Sequence, residues 1–233
     1  MAGILFIISA PSGSGKSTLV AQLRTLVEGL DFSISYTTRA SRGSETDGRE
    51  YHFIDREKFE RMVANDEFLE WAEVFGNYYG TALSALDHAR AEGKDLLLDI
   101  DVQGAVQVMR KLPAAVSIFI LPPSPQILEM RLRNRSEAEN VTSETIIGRR
   151  LSQAQEEVSQ IGDYTYALVN DVLDQAVSEM RAIVLTERGL HDDLVQAIAA
   201  TCRTATPSAR LRTALSGFGH TALGSFGESA ENR

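Results

Sequence analysis

Residues 4–20, ILFIISAPSGSGKSTLV, leave few folds open to this chain. Ile4 to Ile8 are apolar without a break, the pattern of a strand buried on both faces. Leu19, Val20 and Leu23 then follow at helical spacing. Between them lies APSGSGKST, which completes G-x-x-x-x-G-K-[ST] with Ala10 in the place of the first glycine. A strand before and a helix after are the context that this phosphate-binding loop requires. Glycines let successive backbone N–H groups turn inward onto phosphate oxygens. The N-terminus of the following helix adds a partial positive charge. Lys16 would reach the β- and γ-phosphates and the Ser17 hydroxyl would meet Mg²⁺. The bland alternative is a Gly/Ser turn. The first expected ligand is a nucleoside triphosphate.

Composition narrows the classes further. At 233 residues the chain fits one larger domain or one with insertions, long enough for a substantial core. A net charge of −9 argues against a general nucleic-acid binder, which would show a basic face. The single cysteine, Cys202, cannot form an internal disulfide, which fits a reducing compartment. No stretch has the length of a membrane span, and the start runs straight into a strand rather than a signal peptide. The expected location is cytoplasmic. His52, His88, His191 and His220 show no ligand spacing and receive no metal or catalytic role. Asn140-Val141-Thr142 is read as a chance glycosylation triplet.

Buried-strand patterns recur at Leu96–Ile100, Val116–Leu121 and Tyr166–Val169, alternating with helical patterns at 83–91, 102–112, 124–135 and 172–187. This alternation indicates an α/β fold with a parallel, doubly wound sheet, whose ligands sit at the C-terminal strand ends. Between 33 and 82 the pattern changes. Phe32–Thr38, Tyr51–Ile54, Phe68–Val74 and Tyr78–Ala82 read as short strands, with a helix capped by Asp55 and a turn at Gly76-Asn77. They form a mostly antiparallel inserted sheet. Trp71, Phe75 and Phe53 are expected in the core. Residues 203–233, rich in Thr, Ser, Gly and Ala, show little apolar periodicity. The chain from 191 is therefore expected to be a flexible tail with at most a short helix around Leu211.

The blocks SAPSGSGKSTL, FSISYTTRASR, DGREYHFI, FLEWAEVFGNYYGT, LLLDIDVQG and VNDVLD together resemble the guanylate kinase family, over roughly residues 4–188. GNYYGT and LDIDVQG make the resemblance specific. Departures from the family pattern are Ala10 in the loop, Tyr36 after Ser35, Ala40-Ser41 between the arginines, and Arg133-Asn134-Arg135-Ser136 in the lid. The resemblance implies a domain over 1–190, with core 1–32, 83–123 and 160–190, a GMP-binding insert 33–82 and a lid 124–159. It implies transfer of the γ-phosphoryl group of ATP to GMP, and to dGMP, with Mg²⁺ as cofactor and no nucleic-acid or membrane partner. Oligomeric state is left open.

By the same resemblance Ala10, Pro11, Ser12, Gly13, Ser14, Gly15, Lys16, Ser17, Thr18 and Asn170 bind ATP. Arg39, Arg42, Tyr51 and Tyr79 hold the GMP phosphate, for which planar guanidinium forks are suited. Glu70 and Asp101 match the acids that read guanine, with Ser35 and Thr81 offering hydroxyls. Asp99, ending an apolar run, matches the metal-side acid with Ser17. Spacing alone does not divide metal and guanine between Asp99 and Asp101, which share one side of a strand. Lys16, Arg39, Arg135 and Arg150 are the expected catalytic groups. Arg131 is a weaker lid candidate, and Arg133 and Arg149 weaker still, since a basic helix face pairing with Glu129, Glu137 or Glu139 would look the same. Two other readings keep the fold: a non-catalytic binding module, which should have lost Lys16 or the lid arginines, and a kinase for another acceptor, which should have lost Glu70 and Tyr79.

Overall fold

The computed structural model describes residues 3–138 and 144–219. In chain order its elements are β1 (Leu5–Ser9), α1 (Lys16–Leu26), β2 (Leu30–Phe32), β3 (Tyr36–Thr37), β4 (His52–Phe53), α2 (Arg56–Ala64), β5 (Phe68–Val74), β6 (Asn77–Ala82), α3 (Leu83–Glu92), β7 (Asp95–Asp99), α4 (Val102–Lys111), β8 (Val116–Leu121), α5 (Pro125–Ala138), α6 (Glu144–Ser159), β9 (Tyr166–Val169), α7 (Leu173–Glu187), α8 (Asp193–Ala200) and α9 (Ala209–Gly217). Five strands form a sheet in the order β2–β7–β1–β8–β9, and four form a second in the order β4–β3–β6–β5. The parallel pairs β2/β7 and β8/β9 belong to the five-stranded sheet, giving the α/β class expected.

The chain divides into two compact units. One holds the start of the chain through Ile7 together with Gly29–Ala115; the other holds Ile8–Glu28 and everything from Val116 on. In the first unit the Ser33 N–H donates to the Leu97 carbonyl, whereas the Ser35 carbonyl accepts from His52. The backbone therefore changes sheets between these two serines. That is why the apparent strand 32–38 is two, with Phe32 closing β2 and Tyr36 opening β3. The smaller sheet is mixed: β3 runs parallel to β4 and antiparallel to β6, and β5 pairs with β6 as a hairpin. Its turn lies at Phe75 and Gly76, both left-handed (φ 50° and 79°), as a type I′ turn requires. Asn77, read from sequence as part of the turn, opens β6 instead.

Phe59, Met62 and Phe68 form the core of this sheet, with Tyr36, Ile54, Val63 and Tyr78 against it. Two aromatics expected in the core are not there: Trp71 is 38% exposed and Phe75 54%. Trp71 occupies an outward position of β5 and meets Phe59 and Tyr78 edge-on. Phe75 stands at the turn. Phe53 is partly buried.

In the second unit, α7 buries Ala176, Val177, Met180, Ile183 and Val184. Ile161 is buried in a 3₁₀ turn of three residues that follows α6. The largest correction is at the C-terminus. Residues 191–219 are not a tail: Asp192 caps α8 by accepting from the Val195 N–H, and Ser208 caps α9 by accepting from Leu211. Leu211, Ala214, Leu215 and Phe218 are all buried, an i, i+3, i+4, i+7 stripe hidden among small polar residues. Cys202 is buried too, and burial pushes its thiol up to about 12. The rest of the expected tail, 220–233, and the Asn140 triplet lie outside the described residues.

Candidate active site

The loop between β1 and α1 has the backbone that its glycines permit. Gly13 and Gly15 are left-handed (φ 90° and 84°), and the Ser14 N–H closes a tight turn onto the Pro11 carbonyl. Gly15 stands at the N-cap of α1 with no side-chain cap and no acid in the first turn. Asp55, Asp101, Asp192 and Ser208 fill that position with a side-chain acceptor on α2, α4, α8 and α9, whereas α3 and α7 lack one as α1 does. No side chain thus caps the N-terminus of α1 against an incoming anion. Lys16 is half-buried as the first residue of α1, with Ser17 and Thr18 exposed beside it.

Two side chains of the same unit hold this loop. Asn170, buried after β9, donates from Nδ2 to the Ser14 carbonyl at 2.7 Å. Its backbone carbonyl accepts from Arg131 at 3.0 Å, and Arg131 also reaches the Ser14 carbonyl at 3.4 Å. A side chain at Gly15 would collide with Asn170. Arg131, ranked behind Arg135 and Arg150 on sequence, is the lid-helix arginine that the structure places on the loop. Arg150 is half-buried on α6 and donates to Ser136 Oγ at 3.3 Å. Arg133 takes the bland role, forking onto Glu144 and pairing with Glu129 on the surface. Arg149 is exposed. Arg135 lies on α5, with its side chain outside what is described.

The acceptor-side residues gather in the first unit. Arg39 is 9% exposed, its guanidinium over the Tyr51 ring at 5.3 Å, and Tyr51 meets Tyr79 edge-on at 5.8 Å. Burial, with the Asp99 charge added, pushes the Tyr51 hydroxyl up to about 12. Glu45, which sequence reasoning missed, engages the Arg39 fork with both oxygens at 2.9 Å and accepts the Arg42 backbone N–H at 2.7 Å. The Arg39 hydrogen bond holds its carboxyl below the ordinary range. A carboxylate on this fork and backbone N–H has the geometry that a phosphate would adopt. Arg42 itself is exposed. Nothing in the GSETDG loop marks Glu45 as different from its acidic neighbours.

The same unit also holds a carboxylate pair. Glu70 is 3% exposed on the inward face of β5, while Glu73 points outward, as the spacing of the two acids allows. Burial pushes the Glu70 carboxyl up to about 7; Thr81, opposite in the β5/β6 register, counters the rise and Asp101 adds to it. Thr81 Oγ1 is fully buried and lies near the carboxylate without a well-aligned hydrogen bond. Asp101 caps α4, its Oδ1 accepting from the Gly104 N–H at 3.0 Å. A Cβ at Gly104 would overlap Glu70 Oε2 and press on Asp101 Oδ1. Gly104 is therefore what lets the two carboxylates converge. An isolated glycine in an apolar helix was the available signal for it. Ser35 is buried and Asp99 half-buried at the end of β7.

A phosphate loop opening a helix, with a buried arginine among tyrosines and a pair of converging carboxylates in the other unit, defines a P-loop phosphotransferase of the nucleotide-kinase class. The comparisons with known proteins are more particular. The family model described as Guanylate kinase matches residues 3–187. A guanylate kinase of Koribacter versatilis is 60% identical over 188 residues, covering 81% of this chain and 80% of that protein. One of Methylococcus capsulatus is 49% identical over 186 residues, covering 80% and 89%. The crystal structure of guanylate kinase from Anaplasma phagocytophilum superposes with a TM-score of 0.67 at 34% identity, covering 82% of this chain and 88% of that one. The chain belongs to the guanylate kinase family, and with it to the ATP:GMP phosphotransferases.

Proposed function

We propose that this chain transfers the γ-phosphoryl group of ATP to GMP, giving ADP and GDP, with the residues above in the following roles. The observation that carries the reading is the buried Glu70–Asp101 pair opened by Gly104, in the same unit as the Arg39–Tyr51–Tyr79 cluster. Guanine presents N–H donors at N1 and N2. A buried carboxylate accepts both and is left unsatisfied by adenine, which rejects the wrong base strongly. Arg39, with Arg42, Tyr51 and Tyr79, takes the GMP phosphate, which exchanges with the Glu45 carboxylate on the Arg39 fork. Ser35 and Thr81 complete the pocket with hydroxyls.

On the ATP side, the backbone N–H groups of 10–18 cradle the phosphates and Lys16 neutralises the β- and γ-oxygens. Asn170 and Arg131 fix the loop's shape through Ser14. Arg135 and Arg150, in the lid of 124–159, stabilise charge on the group in flight, and GMP is held by the insert of 33–82. Ser17 and Asp99 offer only hard oxygens. Among the described residues no group of three His, Cys, Asp or Glu could hold a metal by itself. Such a donor set fits Mg²⁺ arriving on the nucleotide rather than in a protein cage. Ser17 and Asp99 would hold the ion there, and it would supply positive charge to the phosphate oxygens. No helix among the described residues is long and apolar enough to cross a membrane, and a cytoplasmic location suits the single buried thiol. Chromatography of a reaction with ATP, Mg²⁺ and GMP should show ADP and GDP appearing in equal amounts. ADP without GDP would refute the transfer.

A further inference from the structure

The family match ends at residue 187, yet the described chain continues in two capped helices. Three contacts fix this segment to the second unit. Cys202 and Thr204 flank an antiparallel bridge between Arg203 and Tyr166 on β9, with the Ala167 N–H donating to the Cys202 carbonyl at 2.8 Å. β9 is the edge of the five-stranded sheet, so the segment covers an edge that would otherwise stand open. The apolar stripe of α9 packs on β9.

The third contact is Arg210 of α9. It donates to Glu179 of α7, to the Val169 carbonyl at 2.6 Å and to the Asp171 carboxylate. Glu179 is 7% exposed and its other oxygen is unpartnered, so Arg210 supplies the charge that makes this burial tolerable. Val169 and Asp171 flank Asn170, whose side chain and carbonyl engage Ser14 and Arg131. Hydrogen bonds at either end of the backbone segment 169–171 thus link Arg210 to the phosphate-binding loop, all within one unit.

We propose that segment 193–219 is a built-in brace of the ATP site and that Arg210 is a positioning residue for ATP, acting through Asn170 on Ser14. This rests on the reading of 10–18 and Asn170 as the ATP site. The brace fixes the loop's shape before the nucleotide arrives, so its loss should fall on ATP affinity and spare GMP. A role in stability alone would lower the melting temperature and leave both affinities unchanged.

The test uses the full chain and three variants: Arg210→Ala, Arg210→Lys and Asp171→Asn. Asp171 is exposed, so Asp171→Asn removes a partner of Arg210 without threatening the fold. Calorimetric titration with a non-hydrolysable ATP analogue and Mg²⁺, without GMP, gives ATP affinity. Steady-state rates give KM for GMP. Arg210→Ala should weaken the analogue about tenfold, near 1.4 kcal/mol, with KM for GMP within about twofold. Arg210→Lys keeps a charge for Glu179 but not the fork, and should recover most of the melting temperature but only part of the affinity. Asp171→Asn should cost about threefold in analogue affinity, and the double variant should cost less than the product of the two. Unchanged analogue affinity in both Asp171→Asn and Arg210→Lys would overturn the proposal. So would equal losses for GMP and ATP. Wild-type turnover of GMP is read separately and judges the reaction itself, so a failure there is distinct from a failure of the brace.

Discussion

Glu70→Gln separates the fold's interest from the site's. The Glu70 side chain is 3% exposed and its carboxyl is pushed up to about 7, first by burial. Raising a carboxyl from its ordinary 4.5 to about 7 places its ionised form about 3 kcal/mol above that of a solvated one. In the unfolded chain the group ionises near 4.5, whereas in the fold it keeps its proton to about 7. The native state therefore binds the extra proton in that window and loses stability as pH rises through it, with the whole cost present above about 7. Glutamine keeps the shape and removes the ionisation. Above about pH 8 the variant should be more stable than wild type by about 2–3 kcal/mol, or about 5–10 °C in melting temperature. Below about pH 4.5 the gain should vanish. The same change should damage the site. The amide offers guanine one acceptor and turns a donor against a donor, so KM for GMP should rise about 10²–10³-fold with KM for ATP unchanged. Wild-type KM for GMP should rise about tenfold per pH unit below about 7, and Glu70→Gln should lose that component. Denaturant unfolding at both pH extremes and an ADP-release assay measure these quantities. A variant no more stable than wild type at high pH, or one using GMP within about threefold of wild type, would refute the reasoning.

Other consequences follow from single contacts. Lys16→Ala should lower kcat by about 10²–10³-fold while calorimetric GMP affinity stays near wild type, because the loop and the acceptor pocket belong to different units. Gly104→Ala puts a methyl where Glu70 Oε2 lies and should raise KM for GMP about tenfold or more, leaving ATP affinity intact. Leu211→Ala, at a side chain 2% exposed, should cost about 2–4 kcal/mol in denaturant unfolding. A flexible tail would show no change there.

What was legible in the sequence was whatever had a strong local signature. The buried strands, the loop with its flanking elements and the Asp55 cap all stand where the pattern placed them. The resemblance brought the site residues in as a set; the structure brings Arg39 to Tyr51, Tyr51 to Tyr79, Glu70 to Asp101 through Gly104, and Asn170 and Arg131 to the phosphate loop. What escaped depended on partners distant in the chain. Strand 32–38 is two strands because the backbone changes hydrogen-bond partners, which no alternation of side chains records. Trp71 and Phe75 are exposed because pleat and turn place them outward, against their hydrophobicity. Asp101 serves α4 as a cap, a role that its position before Val102-Gln103-Gly104 allowed but the assignment to guanine obscured. α9 was read as no more than a short helix around Leu211, because its four apolar residues sit among Arg, Thr, Ser and Gly that dilute any window average, and α8 and the packing of both were not read at all. Arg131 and Glu45 could be assigned only by knowing what each touches.

Initial rates with ATP, Mg²⁺ and each of GMP, IMP, AMP, UMP and CMP test most directly that paired carboxylates select guanine for phosphoryl transfer. IMP differs from GMP only in lacking the N2 amino donor. GMP should turn over rapidly, IMP slower by about 10²-fold and AMP slower still. IMP used as well as GMP would contradict the carboxylate reading of N2, and no turnover of GMP would contradict the function.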